Sequence, residues 1–162
     1  MIRYATLQDL NALVAIHNQA IADKFQTAFT EPNKPENRLG WFNEHVPDNY
    51  PMFVYEVDGV VAGYLSISDY RNGRGALRYA VEVSYFIDQN YRNRGIASAL
   101  LNHGISACRS MHYKTILAII LEPNLASAHL LEKSGFEKWG YLPAIADFDG
   151  VECGQIYYGL KL

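Results

Sequence analysis

Tyr85-Phe86-Ile87-Asp88-Gln89-Asn90-Tyr91-Arg92-Asn93-Arg94-Gly95-Ile96-Ala97-Ser98-Ala99-Leu100-Leu101 is an apolar extended run that turns polar and then enters a helix rich in Ala and Leu. A strand that passes through a small-residue turn into a helix start is a cradle for an anion. The free N–H groups of the first helical turn, and the positive end of the helix dipole, point at it. Gly95 and Ala97 let the anion approach the backbone. Taken alone, the stretch predicts an anion at a helix start or an ordinary surface turn.

The flanking sequence builds one domain around this stretch. Residues 2–5 read as a short strand. Thr6 then caps a helix, with Gln8 or Asp9 in its first turn and Leu10, Leu13, Val14, Ile16, Ala20 and Ile21 at helical spacing. Residues 24–35 are polar and irregular, with Phe25 and Phe29 among them, and residues 36–45 read as a shorter helix. Residues 52–57 and 60–67 flank Asp58-Gly59, a strong hairpin signal. A loop rich in Gly and Arg (69–75) precedes a third long strand from about 77 to 87. The helix at 94–111 presents Ala97, Leu100, Leu101, Gly104, Ile105 and Cys108 on one face. Residues 115–121 form a buried strand without charge, 124–133 a helix stopped by Ser134-Gly135, and 137–142 and 152–160 two last strands around the turn 147–150. The expected fold is one α/β domain over residues 1–162, a mixed, mostly antiparallel sheet flanked by helices.

Composition excludes several classes. The chain has 162 residues, 49% hydrophobic and 19% charged, which suits one soluble globular domain. A net charge of −3 without a basic stripe argues against nucleic acid as the partner. No apolar run reaches the roughly 18 residues of a membrane span. Cys108 and Cys153 have no short-range partner, and no leader precedes Met1-Ile2-Arg3-Tyr4, so a cytoplasmic protein with reduced thiols is expected. His17, His45, His103, His112 and His129 form no ligand cluster, so no metal site is expected.

Arg92-Asn93-Arg94-Gly95-Ile96-Ala97 in this order of elements resembles the coenzyme A loop of the GNAT N-acetyltransferases. Asn124-Leu125-Ala126-Ser127 after a buried strand, Glu132-Lys133-Ser134-Gly135-Phe136 and the opening Ile2-Arg3-Tyr4-Ala5-Thr6 extend the likeness over the whole chain. Thr27-Ala28-Phe29-Thr30-Glu31-Pro32, Val57-Asp58-Gly59-Val60-Val61-Ala62-Gly63 and Val81-Glu82-Val83-Ser84-Tyr85-Phe86-Ile87 are similar to the phosphinothricin acetyltransferase branch. The resemblance implies a GNAT fold, acetyl-CoA as co-substrate, a homodimer, and a small amino-acid-like amine as acceptor, of the phosphinothricin, methionine sulfone or methionine sulfoximine type. The alternatives are a protein or peptide amine as acceptor, and a non-catalytic acyl-CoA sensor.

The resemblance also implies roles. Arg92, Asn93, Arg94, Gly95, Ile96, Ala97 and Ser98 hold the pyrophosphate, though either Arg by itself also reads as a solvated charge. Backbone groups of Tyr85, Phe86 and Ile87 pair with the pantetheine arm, and one N–H polarises the thioester carbonyl. Asn124 and Ser127 meet the pantetheine amide, while Asn124 also caps a helix. Glu82, mid-strand among apolar residues, is the general base for a substrate ammonium, against the alternative of a solvated or Arg-paired strand residue. Arg74 is the partner of an acidic group on the substrate or a flexible loop residue, like Arg71 and Arg78 nearby, and Phe29 and Tyr79 are pocket walls or core. One position departs from the pattern. Leu131 stands where relatives carry a Tyr or His that protonates the leaving thiolate, and His129 points elsewhere on the helix. Water or another Tyr then serves, or no acid does. Glu152 departs as well, standing where the branch is more aromatic and His-bearing, which leaves the acceptor open.

Overall fold

A computed structural model describes residues Met1–Leu162. Seven strands form one sheet in the order β1-β2-β3-β4-β5-β7-β6. They are β1 (Ile2–Tyr4), β2 (Met52–Val57), β3 (Val60–Asp69), β4 (Ala80–Ile87), β5 (Thr115–Leu121), β6 (Glu137–Phe148) and β7 (Val151–Lys161). Every pairing is antiparallel except β4 with β5. The helices are α1 (Leu10–Ala22), α2 (Pro35–Asn43), α3 (Ile96–Ser110) and α4 (Leu125–Lys133).

Alternation along the strands sends side chains to two cores. Val81 and Val83 of β4 join Leu100, Leu101 and Ile105 of α3 and Leu131 of α4 on one face. Leu13 and Ile16 of α1 pack on Met52, Val54 and Tyr64 on the other, with Trp41 of α2 alongside. Gly104 lets α3 lie close on β3, since a Cβ there would stand 2.9 Å from Leu65. Helices therefore cover both faces, as expected.

The local signals hold, with shifts at the ends. Asp58 and Gly59 both take positive φ (49° and 80°), as a tight hairpin turn requires. The Asp9 carboxylate accepts from the Thr6 N–H at 2.7 Å, closing a 3-10 turn (Leu7–Asp9) that leads into α1. The expected third strand begins at Ala80 rather than 77, because Gly75–Leu77 coil into a 3-10 turn. On α3 the core-facing residue of the first turn is Ile96, while Ala97 faces a cleft. Strand β6 runs six residues past its expected end at 142, through Phe148. Pro143 cannot donate to a ladder and Ala144 takes φ 47°, so an irregularity between Leu142 and Ala146 hides the continuation.

Candidate active site

The sheet opens at its centre. Strands β4 and β5 pair only from Ala80–Thr115 to Glu82–Leu117. Beyond Glu82 they splay, and alternate backbone groups of β4 lose a neighbour on that side. A cavity of about 440 Å³ fills the gap. Its walls are Val83 to Ile87, Ala118 to Ile120, the loop before α3 and the start of α4. The loop has a built conformation. Asn93 (φ 60°) and Gly95 (φ 77°) are both left-handed, and Gly95 is the N-cap of α3. Left-handed residues alternating with others turn backbone N–H groups inward and make an anion nest. At α4 the Asn124 side chain accepts from the Ser127 N–H at 3.2 Å, so it is a helix cap at the cavity edge.

A second cavity, of about 400 Å³, adjoins the first. Both are lined by Gln26, Ser84, Phe86, Ile119 and Ile120. Glu82 lines the second alone. It faces α1 and α2, because it alternates with the core residues Val81 and Val83. Burial lifts its pKa above the usual carboxylate range, with no cation to offset it. The three ion pairs of the molecule, Arg3–Asp9, Arg3–Glu56 and Arg92–Asp23, leave it free. Ser68 stands opposite Glu82 on β3, and its hydroxyl lies 3.3 Å from Nε2 of His45. Nδ1 of His45 donates to the Trp41 carbonyl at 2.8 Å, so the neutral ring offers Nε2 as acceptor to Ser68. His17 is buried between the rings of Phe29 and Phe86, each 5.0 Å away and edge-on. Burial, helped by the nearby Arg38 charge, pushes its pKa down to about 4, so it is neutral at pH 7.

Most residues expected from the sequence converge. Tyr85, Phe86, Ile87, Arg92, Asn93, Gly95, Ile96, Ala97, Ser98, Asn124 and Ser127 all line the first cavity. Arg94 does not; its guanidinium lies over the Tyr91 ring, 5.1 Å from the centroid. Arg92 is already paired with Asp23 at 2.6 Å, so the backbone nest carries more of the anion site than arginine charge does. Glu82 and Phe29 share the second cavity. Arg74 and Tyr79 do not reach it. Arg74 is exposed and donates to the Asn72 carbonyl at 2.9 Å. Tyr79 precedes β4 and lines a groove on another side of the molecule, with Arg78 4.5 Å over its ring. Leu131 is fully buried in the α3-side core, and His129 is exposed.

Sequence reading missed His17, Arg38, Trp41 and Tyr64, which line the second cavity. They come from α1, α2 and β3, distant in sequence, and no local spacing marks them. The one trace was Arg38 and Trp41 three apart on a helix, and therefore on one face.

A strand pair splayed beside an anion nest, with a raised-pKa carboxylate in the adjoining cavity, is the arrangement that an acyl-CoA-dependent N-acyltransferase needs. The acetyltransferase (GNAT) family model matches residues 16–136, and the chain belongs to that family. It is 39% identical to YwnH of Bacillus subtilis (strain 168) over 150 residues, covering 92% of this chain and 91% of that one. It is 32% identical to the phosphinothricin N-acetyltransferase of Streptomyces viridochromogenes, covering 88% and 77%. A phosphinothricin acetyltransferase from Sinorhizobium meliloti, solved in complex with acetyl-CoA, superposes with a TM-score of 0.94 at 26% identity, covering 100% of this chain and 88% of that one.

Proposed function

We propose that this chain transfers the acetyl group of acetyl-CoA to the amine of a small amino-acid-like compound, of the phosphinothricin, methionine sulfone or methionine sulfoximine type. The observation that carries the reading is the junction of the two cavities. One has the shape and the unpaired strand backbone for an extended pantetheine arm; the other is lined by a carboxylate without an ion-pair partner, Glu82. Acetyl-CoA supplies the thioester. The nest at Asn93 to Ser98 binds its phosphates. Backbone groups of Tyr85 to Ile87 align it and stabilise charge developing on the carbonyl oxygen. Glu82 takes a proton from the substrate ammonium, directly or through water. The amine nitrogen then bonds to the carbonyl carbon and the C–S bond breaks, with the electron pair leaving on sulfur, and the nitrogen releases its second proton to water to become the amide. Leu131 has no proton to give that thiolate, and a thiolate of low proton affinity leaves without one.

A homodimer is part of the reading. Trp139, Tyr141 and Ile145 of the edge strand β6 are 44%, 43% and 57% exposed, an apolar edge that a monomer would leave open. No helix is long and apolar enough to cross a membrane. The test is thiol release from acetyl-CoA over a panel of amines that includes the three compounds above. Acceleration by at least one, with a mass gain of one acetyl group on its amine, is expected. Binding of coenzyme A with no turnover on any amine would refute the enzymatic reading and favour a sensor.

A further inference from the structure

Arg38 is a half-buried cation without a partner. It belongs to none of the three ion pairs and makes no hydrogen bond within the chain. Its guanidinium stacks over Trp41, 4.0 Å from the ring centroid, with Phe29 at 5.6 Å. Stacking holds the plane of the group and leaves its N–H edge for a ligand. That edge has somewhere to point, because Arg38 lines the cavity that contains Glu82. Burial lowers its pKa, while Tyr64 and Glu44, at the end of its own helix, pull the other way. Neither acid forms an ion pair with it.

Arg38 and Glu82 sit apart within that cavity. They form no ion pair, and the pKa of Glu82 responds to burial alone. The pocket therefore keeps a carboxylate and a guanidinium unneutralised at separate places. An α-amino acid presents the complementary pair, an ammonium and a carboxylate on one carbon.

We infer that Arg38, held on Trp41, receives the carboxylate of an α-amino-acid substrate in a forked pair while the amine meets Glu82. The inference rests on the proposed activity and makes Arg38, rather than Arg74, the residue that selects an anionic acceptor. A fork of two N–H donors matches a carboxylate, and a neutral carboxamide cannot replace it. Selection at this position is therefore by charge and geometry. Discrimination by hydrogen-bonding groups of this kind is large, because the wrong ligand covers a half-buried cation and leaves it unpaired.

The experiment compares methionine sulfone with its carboxamide as acceptors, and measures kcat/KM for each. Arg38→Gln should lower the acid-to-carboxamide ratio about 10- to 100-fold. Arg38→Lys should recover only part of it, since an ammonium lacks the fork. Arg74→Gln should keep the wild-type ratio. A ratio unmoved by Arg38→Gln, or one that collapses in Arg74→Gln instead, overturns the inference. Calorimetric titration of the same two compounds reads the clamp without turnover. Wild-type protein that binds the acid no more tightly than the carboxamide also overturns it. Failure of the enzymatic reading looks different, with no thiol release on any amine whatever the titration gives.

Discussion

Glu82 shows what a mid-strand carboxylate becomes when its neighbours are apolar. Its raised pKa predicts that kcat/KM rises with pH through an inflection above the usual carboxylate range. Glu82→Gln should cut kcat/KM about 100-fold or more and abolish that inflection. The same shift costs stability. A carboxyl that binds its proton more tightly when folded stabilises the fold below its unfolded pKa, and that contribution is lost as pH rises through the folded value. Glu82→Gln should therefore be more stable than wild type at pH 7, as read from urea midpoints. His17 has the opposite sense. Its folded pKa of about 4 lies below the ordinary 6.5, so the unfolded chain binds more protons between those values. Stability should fall as pH drops from 6.5 towards 4, and His17→Gln should flatten that limb. Tyr85 makes a third case. Its hydroxyl is the one buried side-chain polar atom without a hydrogen-bond partner. Burial pushes its pKa up to about 12, and nearby Ser127 pulls the other way without meeting the geometry of a hydrogen bond. Tyr85→Phe should stabilise the ligand-free protein by about 1 kcal/mol, measured by denaturation, because an orphan hydroxyl no longer has to be desolvated.

At the scale of the element, the loop into α3 depends on backbone angles more than on side chains. Gly95 sits at φ 77°, and no atom lies within 4 Å of where a Cβ would stand, so a side chain meets strain rather than a clash. Gly95→Ala should cost about 1 to 2 kcal/mol of stability. It should also raise the KM for acetyl-CoA more than it lowers kcat, as expected of a nest proposed to hold the phosphates rather than the reacting carbonyl. The start of α1 is held by charge. The Arg3 guanidinium bonds Asp9 at 2.8 and 2.9 Å and Glu56 at 2.8 Å, tying β1, β2 and the first turn together. Although burial alone would raise it, bonding to Arg3 and Thr6 holds the Asp9 carboxyl below its usual range. Asp9→Ala should cost about 2 to 3 kcal/mol in thermal or urea unfolding.

Across the whole molecule, the single parallel pairing governs the site. An unbroken antiparallel ladder would leave no gap; one parallel contact of three residues, Ala80 to Glu82 with Thr115 to Leu117, lets two strands diverge and open a cavity. The elements on either side of that gap were legible in the chain. The Asp58-Gly59 turn, the Gly95 helix start, the apolar run of β5 and the Asn124 cap are local signals, each set by neighbours a few residues away. With the resemblance to the phosphinothricin acetyltransferase branch, which includes Glu82 ten residues before Arg92, the expected cofactor cleft could be assembled by reading. The acceptor pocket could not. Arg38 and Trp41 lie on a short helix with no buried residue of its own, so its sequence carries no clear apolar face to say which way it turns. The resemblance to the phosphinothricin branch implies Arg74 as the anion partner, yet residues 71–79 around it are all exposed. The amino-acid sequence by itself determined the succession of strands and helices, the turn into α3 and the mid-strand place of Glu82, because turns, caps and strand alternation are local. Only the tertiary structure decided which cation shares the cavity with that carboxylate, because α1, α2 and β3 meet there through packing over long sequence separations.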